Sequence, residues 1–269
     1  MLETKSISRI VRVMGYGMSC PIHIIADDGK DYILKTKIAQ LDDDDNIQIS
    51  AKELFTEIFS YLYLHTLEAL HIPKVCLLEV TDETLRLAQK FANGDDRQKQ
   101  ALQNLKHSKG LNLGVAYIEN ANKSLSFSLN DFAKDFIRQT INYDARLMNT
   151  DRDFGNPNIL EDLSGKKWLI DFGMAFDTLA LLDNLTDKTL LVKDEPNENY
   201  FNKCCFGSYI FSEAIRRNTA SIKKALPAET ISNITYYVCN IIDLLDDNSK
   251  QCLAQIITKR QSSKRIFCA

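Results

Sequence analysis

Asp151, Asn156 and Asp171 are the residues of this chain whose types and spacing could do chemistry. Asp151 and Asn156 stand five positions apart in "DRDFGN", and Asp171 opens "DFG" directly after the apolar residues "WLI". Two carboxylates and an amide carbonyl within reach of one point suit Mg²⁺, which prefers hard oxygen ligands and shares its coordination shell with water and substrate phosphates. The three residues therefore predict a magnesium site.

A predicted hairpin would bring these residues together. The segments "NIL" and "KKWLI" flank the turn "DLSG", residues 162–165. Because a hairpin returns the chain to where it began, we expect Asp171, at the exit of the second strand, to lie beside Asn156, at the entrance of the first.

The spacing matches a known template for phosphoryl transfer from ATP. In that template a loop aspartate orients the attacking hydroxyl, an asparagine five residues later holds metal, and the aspartate of "DFG" holds metal across the phosphates. Asp151, Asn156 and Asp171 fill these three roles in this order. The match predicts ATP and Mg²⁺ as cofactors.

The same template requires a lysine on a strand, paired with a glutamate on the next helix. Lys35 ends the predicted strand "YILK", and Glu57 lies among the apolar positions of the helix that follows. A carboxylate at a core position is costly unless a cation or a strong donor meets it, so Glu57 needs a partner. We expect Lys35 and Glu57 to form an ion pair.

The segment "GYGMSCP", residues 15–21, is a candidate for the loop whose backbone N–H groups cover the phosphates. Gly15, Gly17 and Ser19 are its candidate nucleotide-binding residues. A G-x-G pattern is a weak signal, and a plain turn is the alternative. Each of the other motifs, taken alone, is also compatible with a turn or an exposed surface position. The prediction therefore rests on all of them occurring together and in order.

The elements predicted around these residues form an α+β fold with two lobes, residues 1–120 and 121–269. Strands at 23–26 and 32–35 are joined by an Asp-Asp-Gly turn, and "KVCLLEV" is a further strand. Capping-box spacings, Ser50 with Glu53 and Ser128 with Asp131, mark the starts of two helices. The remaining predicted helical segments are residues 82–109, 206–217, 229–245 and 249–259.

Charge and composition exclude several classes of protein. A net charge of −3 over 269 residues disfavours a nucleic-acid binder held by bulk charge. The sequence has no apolar run long enough for a membrane span and no apolar signal-peptide core, so we expect a cytoplasmic protein, although an effector exported without a cleaved signal would look the same. Seven cysteines without paired spacing and four histidines predict neither a disulfide framework nor a zinc site.

The motifs together resemble the HipA-like kinases, especially the short stand-alone branch of that family. The resemblance covers about residues 10–180. It is carried by the blocks "GYGMSCPIHIIADDGKDYILK", "ELFTEIF", "GLNLGVAYIE", "YDARLMNTDRDFGNPNIL" and "WLIDFGMAF". The resemblance implies a two-lobed protein-kinase-like fold that phosphorylates Ser or Thr of a protein. By position it implies the following roles: Asp151 as catalytic base, Asn156 and Asp171 as metal ligands, Lys35 as phosphate-binding lysine and Glu57 as its ion-pair partner.

The sequence departs from eukaryotic protein kinases at two places. Its catalytic loop reads "NTDR" where those enzymes have His-Arg-Asp, and no Ala-Pro-Glu follows "DFG". "NTDR" with the later "IDFG" also resembles the phosphoinositide kinases, so a lipid hydroxyl is an alternative substrate, against which the lack of a basic amphipathic stretch counts. A nucleotide-binding pseudokinase is a third alternative.

The resemblance also bears on regulation and partners. In some HipA-like kinases, serines of the glycine-rich loop are autophosphorylated, and Ser19 is the candidate by position. The resemblance leaves open a toxin with a neutralising partner protein, an exported effector and a housekeeping enzyme. The sequence identifies neither the substrate protein nor such a partner.

Overall fold

Mixed α/β structure extends along the described parts of the chain. The computed structural model describes residues 1–15, 17, 19–40, 48–49, 51–68, 71–123, 132–147, 149, 151–153, 155–176, 226–243 and 245–262. The strands in chain order are β1 (Thr4–Val13), β2 (Ile22–Ala26), β3 (Asp31–Lys35), β4 (Ala39–Gln40), β5 (Gln48–Ile49), β6 (Val75–Val80), β7 (Gly110–Ala116), β8 (Asn122–Lys123), β9 (Ile159–Glu161) and β10 (Lys167–Leu169). The helices are α1 (Ala51–Thr66), α2 (Asp82–Ala88), α3 (Asp96–His107), α4 (Lys134–Leu147), α5 (Ala228–Ile242) and α6 (Asp247–Ser262), with a 3-10 helix at Gln89–Asn93.

Five strands close into a barrel in the order β1-β2-β3-β7-β6, with β6 returning to β1. The β1–β6 pair is parallel and the other pairs are antiparallel. The predicted β2–β3 hairpin is confirmed, and Gly29 supplies its left-handed residue at φ 74°. A Cβ at Gly114 would lie 2.7 Å from Leu78 Cγ and 2.8 Å from Cys76 Sγ, so glycine fits best at this position, where β7 pairs with β6.

The segment between β6 and β7 is helical, as predicted, and covers the barrel. Thr81 and Asp95 cap α2 and α3 through capping boxes with Thr84 and Gln98. One apolar cluster joins this segment to the inward side chains of the barrel, and the helical members of that cluster are Ala88, Phe91, Ala101, Leu102 and Leu105.

Helix α1 is buried on nearly all sides, and not only on the face that the spacing of Leu54, Ile58, Tyr61 and Leu62 predicts. Phe55, Phe59 and Tyr63 stack along a second face, with ring centroids 5.8 and 6.0 Å apart. Phe59 also contacts Phe176 edge-on at 5.4 Å, and α1 packs against α5. A helix that is buried on most sides belongs to a protein interior, which explains why the charge of Glu57 needs a specific partner.

The larger apolar cluster extends from α1 through α4, β9 and β10 to α5 and α6. It includes residues on both sides of residue 120, and the division into two lobes there stays a prediction. The predicted carboxy-terminal helices are found as α5 and α6, and α5 ends at the left-handed Asp243, φ 50°. The predicted caps at Ser50 and Ser128 and the predicted helix at 206–217 lie outside the described residues. Within the described residues, no helix has the length and apolarity to cross a bilayer.

Candidate active site

A lysine from the barrel joins two carboxylates that are distant in the sequence. Lys35 Nζ lies 2.5 Å from Glu57 Oε1 and 2.9 Å from Asp171 Oδ1. The side chain of Glu57 is 6% exposed and that of Lys35 is 18% exposed, whereas that of Asp171 is 41% exposed. The expected Lys35–Glu57 ion pair is therefore present, and Asp171 adds a second carboxylate at its open side.

Burial and charge act against each other in this cluster. Burial alone would lower the pKa of Lys35, but the carboxylates of Asp171 and Glu57 outweigh it and raise that pKa. Burial raises the pKa of Glu57, and Lys35 opposes this shift. Lys35 is therefore a permanent cation, held by Glu57 on the inner side and facing Asp171 on the outer side.

The hairpin that carries Asp171 has the predicted strands and turn. In its register Leu169 faces Ile159, and the Ile170 N–H donates to the Asn158 carbonyl oxygen at 3.0 Å. This ladder extends to the residue before Asp171, and the expected closeness of Asp171 to Asn156 stays a prediction. Asp171 itself has a φ of 61°, a left-handed conformation at which the chain leaves the strand.

The turn of that hairpin is set by one carboxylate. Asp162 Oδ1 accepts from the backbone N–H groups of Ser164 and Lys166, and its Oδ2 accepts from Trp168 Nε1 at 2.8 Å. Hydrogen bonds from Ser164 and Trp168 lower the pKa of Asp162 to about 2. Local turn chemistry therefore determines the hairpin, as the sequence predicts.

Two amides contact the carboxylate of Asp151. Asn156 Nδ2 donates to Asp151 Oδ2 at 3.3 Å, and Asn158 Nδ2 donates to the same oxygen at 3.0 Å. Burial raises the pKa of Asp151, the negative charge of Asp171 raises it further, and the two amide hydrogen bonds oppose the shift. Sequence reasoning identified Asp151 and Asn156 but missed Asn158.

A buried ion pair holds the loop that contains Asp151. Arg152 Nε donates to Asp144 Oδ2 at 2.7 Å, and the two side chains are 1% and 0% exposed. Arg152 Nη1 also donates to the carbonyl oxygens of Pro157 and Asn158 at 2.9 and 2.7 Å. Asn149 Nδ2 donates to the other oxygen of Asp144 at 3.0 Å. Sequence reasoning missed this pair, although an arginine directly after a loop aspartate was visible in "DR".

The segment that follows α1 holds strand β10 from the other side. The Leu169 N–H donates to the His71 carbonyl oxygen at 2.8 Å, and His71 Nδ1 contacts the Lys167 carbonyl oxygen at 2.7 Å. Through these bonds the chain after the Glu57 helix is fixed to the strand that leads to Asp171. The relative position of the two carboxylates is therefore set by backbone contacts as well as by Lys35.

The candidate phosphate loop is anchored to α3. Its Gly17 carbonyl oxygen accepts from Arg97 Nη2 at 2.7 Å, and the Ser19 carbonyl oxygen accepts from Asn104 Nδ2 at 3.2 Å. Gly17 has a φ of 88°, and a Cβ there would lie 3.1 Å from the Pro21 ring, so the turn itself requires glycine. The turn accounts for Gly17, whereas phosphate binding by Gly15, Gly17 and Ser19 stays a prediction.

Glu53 is a further acidic residue near the site, one helical turn before Glu57. Burial raises its pKa to about 7, the negative charges of Asp171 and Asp151 raise it, and Lys35 lowers it. The i,i+4 spacing places Glu53 on the same face of the helix as Glu57, and this is visible in the sequence. Sequence reasoning assigned Glu53 to the capping box with Ser50 and did not identify it as a residue of the site.

The donor set fits Mg²⁺ bound together with a nucleotide. Among the described residues, no three His, Cys, Asp or Glu side chains are arranged to hold a metal by themselves. Mg²⁺ in nucleotide sites uses one or two protein ligands and completes its octahedron with water and phosphate oxygens. A carboxylate from Asp171 and an amide from Asn156, whose Nδ2 is directed at Asp151, meet that requirement.

Comparison with known proteins finds similarity in overall structure only. No family model matches the chain, and no curated protein sequence matches it. Two solved structures, the crystal structure of the Golgi casein kinase and that of the same kinase with Mn/ADP bound, are similar to it. In both comparisons the identity is 10%, the TM-score is 0.44, and the match covers 98% of this chain and 73% of the other. At this level of similarity, the function must be argued from the site.

Proposed function

We propose that this chain is an ATP- and Mg²⁺-dependent kinase that phosphorylates Ser or Thr of a protein substrate. The observation that carries the proposal is the contact of Lys35 Nζ with both Glu57 and Asp171, residues from a barrel strand, a buried helix and the exit of a hairpin. A partly buried lysine fixed by one carboxylate, next to a half-exposed second carboxylate, is what binding of a metal-bound nucleotide phosphate requires.

Each residue has a distinct part in the proposed reaction. Lys35 binds the α- and β-phosphate oxygens, and Glu57 fixes the direction of its ammonium group. Asp171 and Asn156 would hold Mg²⁺, which would supply positive charge to offset the charge of the transferring phosphoryl group. Asp151 orients the attacking hydroxyl and accepts its proton as the oxygen bonds to the γ-phosphorus.

The loop scaffold supports catalysis more than simple nucleotide binding. A pseudokinase needs Lys35 and Asp171 for binding but has no need for an ordered base. Here Asp151 accepts two amide hydrogen bonds, and the adjacent Arg152 is buried in an ion pair with Asp144. An ordered carboxylate at this place favours transfer to a hydroxyl.

The finer assignments belong to the same proposal and are supported by the sequence blocks of the HipA-like kinases. These assignments are the HipA-like family, a protein rather than a lipid acceptor, two lobes with the nucleotide between them and, for a toxin, a neutralising partner protein. Action in the cytoplasm is also part of the proposal and rests on the sequence, in which we find no apolar segment typical of a signal peptide. The lipid kinase and the pseudokinase are the alternatives that an experiment must separate.

Incubation of the purified chain with γ-labelled ATP and Mg²⁺ separates the three alternatives. Parallel samples contain no addition, cell lysate or phosphoinositide vesicles, and Asp151→Asn serves as the control. Label on protein that is lost in the control supports the proposal, and label confined to lipid supports the lipid kinase. ATP binding without any transfer would overturn the proposal and leave the pseudokinase.

A further inference from the structure

Asn158 occupies an unusual position at the entrance of β9. Its side chain is buried, with 2% of the residue exposed, although asparagine is mostly an exposed residue. Its backbone is left-handed, with a φ of 48°, a conformation that asparagine tolerates better than other residues with a Cβ. A buried amide in this conformation indicates a specific set of hydrogen bonds.

The side-chain amide of Asn158 is bonded to Asp151 at two points. Asn158 Nδ2 donates to Asp151 Oδ2 at 3.0 Å and to the Asp151 carbonyl oxygen at 3.4 Å. The amide of Asn156 donates to the same Oδ2 at 3.3 Å. Both side-chain bonds therefore fall on one oxygen of the carboxylate, and among the described residues no donor contacts Oδ1.

The backbone of Asn158 is fixed just as closely. Its carbonyl oxygen accepts from Arg152 Nη1 at 2.7 Å and from the Ile170 N–H at 3.0 Å. Arg152 is anchored in turn on the buried Asp144, and Ile170 directly precedes Asp171. Asn158 thus links the carboxylate of Asp151 to the strand that carries Asp171.

We propose that Asn158 is a positioning residue that presents Oδ1 of Asp151 to the substrate hydroxyl. This inference rests on the proposed kinase function. An oxygen that already accepts two amide hydrogen bonds is a poorer acceptor for a third donor, so the substrate hydroxyl approaches Oδ1. The O–H bond breaks and its proton goes to Oδ1. The hydroxyl oxygen bonds to the γ-phosphorus, and the bond to the β-phosphate oxygen breaks with its electron pair leaving on ADP.

Two substitutions separate the side chain of Asn158 from its backbone. Asn158→Gly keeps the left-handed backbone without strain and removes only the amide. Asn158→Asp keeps the shape of the side chain but replaces the donor with an oxygen that repels Asp151. We expect turnover of ATP, with water or the protein itself as acceptor, to fall about tenfold or more in Asn158→Gly and further in Asn158→Asp, because misplacement of a base by a fraction of an ångström is costly.

The matched control is Asn112→Ala on β7. Asn112 is also fully buried, and its amide bonds to backbone groups of Ser108, Gly110 and Lys37. This variant should lose thermal stability as Asn158→Gly does, but keep the turnover of the wild type. The dissociation constant for Mg²⁺-ATP should stay within about twofold in all variants, because none of them removes a proposed phosphate or metal ligand.

The outcomes distinguish failure of the inference from failure of the proposed function. Turnover in Asn158→Gly equal to that of the wild type, or reduced only as much as in Asn112→Ala at equal stability, would overturn the positioning role. A wild-type chain that binds ATP without turnover would overturn the proposed function and this inference with it. A selective loss of turnover in the two Asn158 variants would support the inference.

Discussion

Lys35 Nζ lies 2.9 Å from Asp171 Oδ1, although 136 positions of sequence separate the two residues. The same ammonium group lies 2.5 Å from Glu57 Oε1, so one cation connects the barrel, the buried helix and the hairpin exit. The meeting point of these three parts is the site for which we propose phosphoryl transfer.

Removal of Lys35 should destabilise the fold because it leaves the carboxylate of Glu57 buried without a cation. We expect Lys35→Met to lower the free energy of unfolding by about 3–5 kcal/mol at neutral pH. Glu57→Gln added to this variant should recover part of the loss, since the double variant buries no net charge. Urea unfolding of the wild type and the variants measures both effects. Equal stability of the Lys35→Met variant and the wild type would contradict the buried ion pair.

The loss of stability in the Lys35→Met variant should depend on pH. Burial raises the pKa of Glu57 in the folded state, and loss of Lys35, which opposes this shift, should raise it further. A carboxyl group whose pKa is raised on folding stabilises the fold at low pH, and that contribution is lost as the pH rises toward the folded pKa. The destabilisation of Lys35→Met should therefore be smaller at about pH 5 than at about pH 8. A pH-independent difference from the wild type would contradict this account.

The Asp144–Arg152 pair should carry far more stability than an exposed pair on the same helix. Arg152→Ala leaves Asp144 charged and buried, at a cost of about 3–5 kcal/mol. Arg138, whose Nη1 contacts Asp135 at 3.1 Å on the surface of α4, offers the matched control. Arg138→Ala should cost no more than about 1 kcal/mol. Similar effects of the two substitutions in chemical unfolding would show that the buried pair does not hold the loop.

Parts of the fold follow from short stretches of sequence. The Asp-Asp-Gly turn of the first hairpin and the Asp162 turn of the second depend on neighbouring residues, so local chemistry predicts both. The position of Glu57 among apolar residues predicts that it needs a cation, and Lys35 supplies it. The two turns are predictable because they depend on local sequence, and the ion pair is predictable because burial of an unpaired carboxylate is costly.

Other parts depend on contacts that periodicity does not encode. The parallel pairing of β1 with β6 closes the barrel between residues about 70 positions apart, and nothing in either strand specifies it. The hydrogen bonds of Asn158 and Arg152 depend on which groups the folded loop brings next to them. In the sequence, each of the two is an ordinary polar residue. The all-round burial of α1 likewise becomes visible only with its neighbours in place.

Asp171 and Asp151 should differ in what their removal abolishes. Asp171→Ala removes a proposed metal ligand, so binding of Mg²⁺-ATP should weaken strongly while metal-free binding of ATP changes little. Asp151→Asn should keep Mg²⁺-ATP binding within about twofold and lower turnover by about 10²–10⁴-fold, the range of a general base. Calorimetric titration with and without Mg²⁺, together with turnover, separates the two roles. An Asp151→Asn variant with normal turnover would remove the base assignment.

Autophosphorylation of the candidate phosphate loop has a direct test. Ser19 lies on the turn that Arg97 and Asn104 hold against α3, next to the buried Cys20. Intact-mass analysis after incubation with ATP and Mg²⁺ should show the addition of a phosphoryl group that Ser19→Ala prevents. Addition at another residue, or none at all, would exclude Ser19 as the modified site.

Transfer of label from γ-labelled ATP by the wild type and by Asp151→Asn, at matched concentration and with Mg²⁺, tests the central claim most directly. The account predicts labelled protein with the wild type, at most about one hundredth of that label with the variant, and equal binding of Mg²⁺-ATP by both. Equal labelling by the two proteins, or binding without labelling by the wild type, would contradict it.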